Sequence, residues 1–167
     1  AKVAIASPSR KLAAEPAKRD EESRQLSRAH QASRESDAYF RAMIDALPMA
    51  IYTTDAEGRL TYFNPAAVEF SGHAPELGTD QWCVSWKLYY PDGAPLPHDE
   101  CPMAIALKEG RTVRGAEAIA ERPDGSRIWF EPFPTPLHDG DGRVVGGINV
   151  LVDIDERKQA EASLRES

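Results

Sequence analysis

The chain lacks most of the features that announce a membrane protein or a catalyst. No run of apolar residues approaches the roughly 18–20 needed to span a bilayer, and no signal-peptide pattern opens the sequence. Only two cysteines, Cys83 and Cys101, occur in 167 residues. They are too few for a disulfide framework and read as reduced thiols of a cytoplasmic protein. Positive charge is in deficit: 20 Lys and Arg against 27 Asp and Glu leave a formal net charge of -7. That balance argues against nucleic acid and anionic membrane surfaces as partners. No glycine loop of the nucleotide-binding kind is present, because Gly140, Gly142, Gly146 and Gly147 fall in a hairpin turn and a strand. No Ser-His-Asp or paired-carboxylate motif stands out, so the chain does not read as an enzyme. Cys83, His98 and Cys101 supply a His-x-x-Cys pair and one distant residue, too little for a metal centre.

What is there is a globular composition, 41% hydrophobic and 28% charged, with length for one domain and polar ends. The chain begins at Ala1 rather than Met, as a piece of a longer protein would. Residues 1–19 are rich in Ala, Ser, Lys and Arg, with Pro8 and Pro16, and read as a disordered or frayed arm. Residues 20–47 carry no helix breaker, and apolar positions recur at Leu26, Ala29, Phe40, Met43 and Leu47 with Ser33 and Ser36 in the same seam. This predicts a helix that dimerises weakly, closed by Pro48.

The period then changes. Ala50–Thr54 and Leu60–Asn64 predict a hairpin around Asp55–Arg59. Pro65–Ser71 reads as a short helix with Asn64 as its N-cap, ended by Gly72. Residues 73–98 look irregular. Asp99–Lys108 reads as a helix with Pro102 in its first turn and Gly110 past its end. Three strands follow, Val113–Glu121, Arg127–Thr135 and Arg143–Val152, joined by turns at Pro123-Asp124-Gly125 and Asp139–Gly142. A charged helix, Asp155–Glu166, leaves the last strand with almost no linker. Successive hairpins predict an α+β domain, an antiparallel sheet with short helices on one face, spanning residues 48–154.

The aromatic and long apolar side chains form the candidate ligand pocket: Ile51, Phe63, Phe70, Trp82, Trp86, Met103, Leu107, Trp129, Phe133 and Ile148. Alternation puts Trp129 and Phe133 on one face of their strand and Ile128 and Phe130 on the other, and leaves open which is inside. Asp153, Ile154, Asp155 and Arg157 are the candidate relay from sheet to helix. The Asp153 carboxylate can cap the helix or pair with Arg157 four residues on.

The order of these motifs resembles the PAS domain family over about residues 40–158. The resemblance rests on Leu47-Pro48, on Asp55 with Gly58, on Asn64-Pro65-Ala66 and on Gly72. It continues through Gly110, Glu117, Asp124-Gly125, Pro136-Leu137, Asp141-Gly142 and Gly146. Asp153-Ile154-Asp155-Glu156-Arg157 is similar to the family's Asp-Ile-Thr-Glu-Arg exit motif, with Asp155 in place of threonine. The second half resembles PAS modules of bacterial sensor histidine kinases. The resemblance implies a five-stranded sheet in order 2-1-5-4-3, a ligand-sized cavity, and signalling through flanking helices, commonly in a homodimer.

It also implies two cofactors to weigh. Haem-binding members draw their iron ligand from the helix equivalent to that at His98-Asp99, but Pro97 and Pro102 bracket His98 and the following strand lacks the expected basic residue. Photosensory flavin members need a reactive cysteine in a Gly-x-Asn-Cys-Arg setting, and Trp82-Cys83-Val84 does not provide it. The sequence therefore reads as a cytoplasmic sensory module of a bacterial two-component signalling protein. It would bind a small ligand or a partner and relay that state through residues 155–167 to an output domain such as a histidine kinase. The alternatives are a ligand-free interaction and dimerisation domain, and a haem-based gas or redox sensor through His98.

Overall fold

The computed structural model describes residues 9–167, with side chains from residue 14 onward. The chain divides into two compact units, one ending at Met43 and one comprising Ile44–Ser167. Helix α1 (Ser9–Asp45) supplies the first unit and runs into the second. Its side chains are exposed up to Met43, and pairs such as Gln31 Nε2 to Glu35 Oε1 at 3.1 Å support it one turn apart.

The expected arm over residues 1–19 needs correction where it can be seen. Residues 9–19 are helical, with Pro16 inside the helix, while residues 1–8 lie outside the described part. Ala13, Ala14, Glu15, Ala17, Lys18 and Arg19 are strong helix formers. Proline removes one helical hydrogen bond and bends the turn before it, but its fixed φ suits a helix.

The second unit is one antiparallel sheet with two short helices on its inner face. In chain order it holds β1 (Ala50–Asp55), β2 (Leu60–Phe63), α2 (Pro65–Ser71), β3 (Lys87–Tyr89), a 3-10 turn (His98–Glu100) and α3 (Pro102–Glu109). Then come β4 (Ala118–Glu121), β5 (Arg127–Pro132), β6 (Thr135–His138), β7 (Val144–Asp153) and α4 (Asp155–Glu166). The seven strands run in the order β2-β1-β7-β5-β4-β3, and β6 continues along β7 beyond β5.

The α+β PAS layout therefore holds, with two differences in strand count. The fourth expected strand is split: Pro132 and Pro134 cannot donate to the ladder, so β5 ends and β6 begins across them. The extra edge strand β3 comes from the stretch expected to be irregular, where Leu88 packs inward opposite Ala120. If β5 and β6 count as one strand and β3 is set aside, the order is the expected 2-1-5-4-3. The expected helix at Asp99–Lys108 is also broken. Cys101 is extended (φ -67°, ψ 162°) because it precedes Pro102, so a 3-10 turn comes first and α3 starts at Pro102.

Two local devices fix the geometry. Asn64, fully buried, caps α2 through Ala67 N (3.0 Å) and accepts from Ile51 N (3.0 Å). Its amide also donates to Ile44 O (3.0 Å) and Met49 O (2.9 Å). One side chain thus ties the end of α1, the start of β1 and the start of α2. Gly147 is the other: a Cβ there would lie 2.7 Å from Met103 Cε, so α3 sits directly on β7. The core lies on the inner face of the sheet, with Tyr52, Leu60, Val84, Met103, Phe130 and Leu151 fully buried between it and the helices.

Candidate functional site

The pleat divides the expected pocket set in two. Phe63, Phe70, Trp82, Met103 and Leu107 join one core cluster on the inner face. Ile51, Trp129, Phe133 and Ile148 do not: their strand neighbours Ala50, Tyr52, Phe130 and Asn149 point inward, so they fall on the outer face. Trp86 is 43% exposed, with Lys87 Nζ 4.3 Å from its own ring centroid. The register Ala118 to Phe130 and Ala120 to Ile128 decides the matter, because small residues on β4 face large ones on β5 only on the inner side. The inner set belongs to the hydrophobic core.

A polar cluster lies within that core, and no local motif announces it. The Tyr52 hydroxyl donates to Trp82 O at 2.7 Å and accepts from Asn149 Nδ2 at 3.0 Å. Asn149 Oδ1 in turn accepts from Phe133 N at 3.0 Å. Trp82 is held at φ 71°, a strained conformation for a bulky residue. Its N–H reaches Gly58 O at 2.7 Å, and its ring fills the space where a Cβ on Gly58 would stand. Burial pushes the Tyr52 phenol and the Cys83 thiol up, and pushes the Cys101 thiol up to about 12. These groups are neutral at ordinary pH. Among the described residues, one buried side-chain oxygen, Thr54 Oγ1, has no partner.

The cofactor expectations can be tested on this packing. His98 is half-buried in the 3-10 turn, and its Nε2 lies 2.8 Å from Ser85 O. The ring borders a surface groove with His73, Asp80 and Trp86, whereas Met103, Ala104, Ala106 and Leu107 are the α3 residues that face the core. His98 therefore does not offer a nitrogen to the space between α3 and the sheet, and a haem does not fit. In that space Met103 and Leu107 lie directly against Gly147. Both thiols are buried and protonated. No cluster of metal-ligating side chains occurs among the described residues.

The relay residues form a definite joint. Ile154 N donates to Trp129 O (2.9 Å) and Asp155 Oδ1 accepts from Trp129 N (2.8 Å), so the junction of β7 and α4 holds β5 through both backbone groups of one residue. Asp153 Oδ1 accepts from Asp155 N at 2.9 Å, a local turn. Arg157 does not pair with Asp153. It reaches Glu117 at 2.7 Å and Glu131 at 3.7 Å, because α4 lies across the outer face of the sheet, where those carboxylates stand. Lys158 joins Glu117 as well and lies 4.8 Å from the Trp129 ring centroid. The hydrogen bond from Lys158, opposed in part by burial, holds the Glu117 carboxyl below its ordinary value. Glu117 and Lys158 were missing from the relay set. Helical spacing from Asp155 puts Lys158 on the same face, a signal that was there to use.

An antiparallel sheet whose last strand passes directly into a charged helix clamped across its outer face defines an α+β sensory module. The family model described as PAS fold matches residues 44–159, and the chain belongs to that family. Curated relatives include the C4-dicarboxylate transport sensor protein DctS of Rhodobacter capsulatus, 33% identical over 126 residues, which are 74% of this chain and 18% of that protein. Two-component system protein A of Emericella nidulans is 29% identical over 127 residues, 75% of this chain and 18% of that protein. This chain thus spans less than a fifth of the curated relatives it matches. Among solved structures, an RNA-binding Light-Oxygen-Voltage receptor shares the fold with a TM-score of 0.59 at 22% identity, over 78% of this chain and 36% of that one. No helix among the described residues is long and apolar enough to cross a membrane.

Proposed function

We propose that this PAS domain is a cytoplasmic input module that passes its state through α4 to an output domain, a histidine kinase being the first to consider. The observation that carries the reading is the joint at α4. Two backbone-anchored hydrogen bonds to Trp129 and the Arg157–Glu117 ion pair tie the helix to β5 and β4, so a shift in the sheet has a physical route into the helix. The relatives' names, a transport sensor protein and a two-component system protein, support a signalling role. A homodimer through α1 and α4 fits the exposed Tyr39, Phe40 and Met43.

The test is signal output in the longer protein that carries the module, read as histidine autophosphorylation with and without stimulus. Asp155→Ala and Arg157→Ala should shift the unstimulated level or flatten the response while circular dichroism stays that of wild type. A wild-type response in both variants refutes the relay.

A second reading, a ligand-free interaction domain, is favoured by the hydrophobic core on the inner face. On that reading the input is a partner, and no small molecule would raise the melting temperature.

A further inference from the structure

At the far end of the sheet a groove of about 380 Å³ lies between α2 and the strand ends. Its size is at the lower end of small-molecule sites, roughly 300–1,000 Å³. Its apolar walls come from Pro48, Met49, Phe70, Ile128 and Leu151. The one cation that lines it is Arg122, at the base of the β4–β5 hairpin.

Arg122 is half-buried and rigidly held. Its stem lies on Gly72, where a Cβ would approach to 3.1 Å. Nε donates to Phe70 O at 2.9 Å, capping α2, and Nη1 donates to Ser126 Oγ at 3.2 Å. No carboxylate lies within ion-pair distance among the described residues, and Nη2 is left without an acceptor. Asp124 feels this charge, but its carboxylate is engaged by Ser126 N and Oγ, at 2.8 and 2.6 Å. A pre-ordered guanidinium beside an apolar groove is suited to a planar anion with an apolar body.

The groove also has acids. Glu69 and Asp153 line it, both exposed. They oppose any anion, and a dianion more strongly, so a monocarboxylate that sets its single charge on Arg122 suits the groove better than a dicarboxylate.

We propose that this groove binds a small amphipathic monocarboxylate, with the carboxylate on Arg122 and the apolar body against Phe70, Ile128 and Leu151. Its position gives the binding a consequence. Pro48–Ala50 follow α1 and Val152–Asp153 precede α4, so one ligand touches both helix junctions. Binding stands on the groove alone; its effect on α4 rests on the relay proposed above.

The experiment is an amide and Arg Nε–H NMR titration of the 167-residue chain with octanoate, against octylammonium and succinate. Octanoate should saturate and shift the signals of Met49, Phe70, Arg122, Ile128 and Asp153. Arg122→Met, which keeps the stem but not the charge, should weaken it about tenfold, the worth of one charge-assisted contact. Ala66→Leu, which fills the groove without touching Arg122, should block it and guards against a folding defect in the first variant. Succinate and octylammonium should bind at least about tenfold more weakly. The proposal falls if octanoate does not saturate, if octylammonium binds equally well, or if either variant binds as wild type. Groove shifts without any change in α4 hydrogen exchange would keep the site and overturn the relay instead.

Discussion

Asn64→Ala is the most informative stability test, because so much converges on that one amide. The side chain is fully buried and makes four hydrogen bonds of 2.9–3.0 Å, to Ile51 N, Ala67 N, Ile44 O and Met49 O. Alanine removes all four. Ala67 N keeps a partner in Asn64 O, at 3.0 Å, and Ile44 O keeps one in Leu47 N, at 3.2 Å, so two backbone groups, Ile51 N and Met49 O, are orphaned. At about 1 kcal/mol each, plus about 1 kcal/mol for the lost N-cap, the expected loss is about 3 kcal/mol. Water reaching the exposed Met49 side lowers the figure toward about 2 kcal/mol. For a domain of this size that is a fall of roughly 6–12 °C in melting temperature. Urea titration followed by tryptophan fluorescence measures it, with calorimetry as the check that unfolding stays two-state. Asn64→Asp is the control: it keeps both acceptor bonds but sets a carboxylate against two carbonyls, so it should lose at least as much at neutral pH. A loss below about 1 kcal/mol for Asn64→Ala would refute the assignment of Asn64 as the tie between α1, β1 and α2.

Three further outcomes follow from the same structure. Thr54→Val swaps a buried hydroxyl that has no partner for a methyl of similar shape, so stability should stay level or rise by up to about 1 kcal/mol; a clear loss in urea would mean the hydroxyl is satisfied. The Glu117 carboxyl is depressed in the folded state by Lys158, so its contribution is present above the ordinary glutamate pKa and is lost as pH falls through the depressed value. The gap between wild type and Glu117→Gln should therefore shrink between about pH 6 and about pH 3, and an urea-midpoint gap that is constant across that range would exclude the pairing. Cys83 and Cys101 are buried with raised pKa values, so Ellman's reagent at mildly alkaline pH should modify neither until the chain unfolds. Rapid modification of the folded protein would contradict the packing around Tyr52.

Local signals carried the sequence reading a long way. Asn64-Pro65 and Gly72 marked α2 to the residue, and Gly110 marked the end of α3, because caps and positive φ depend on one or two neighbours. The hairpin turns at Asp124-Gly125 and Asp141-Gly142 were equally plain, with Gly125 at φ 85° and Gly142 at φ 80°. Periodicity misjudged residues 9–19, where Pro16 outweighed a run of helix formers, and missed β3, whose three residues make a strand only because β4 lies beside them.

The site divides along the same line. The sequence by itself determined the fold class, the turns, the caps and the abrupt passage from β7 into α4, since each is written in adjacent residues. Only the tertiary structure decided which face of β5 is inside, because alternation has two equivalent phases until Ala118 and Ala120 are set opposite Phe130 and Ile128. It also moved Arg157 from Asp153 to Glu117, forty residues away in the chain, and brought Arg122 to Phe70 O across fifty-two. Contacts at that separation depend on how strands register and helices cross, and no local pattern encodes them.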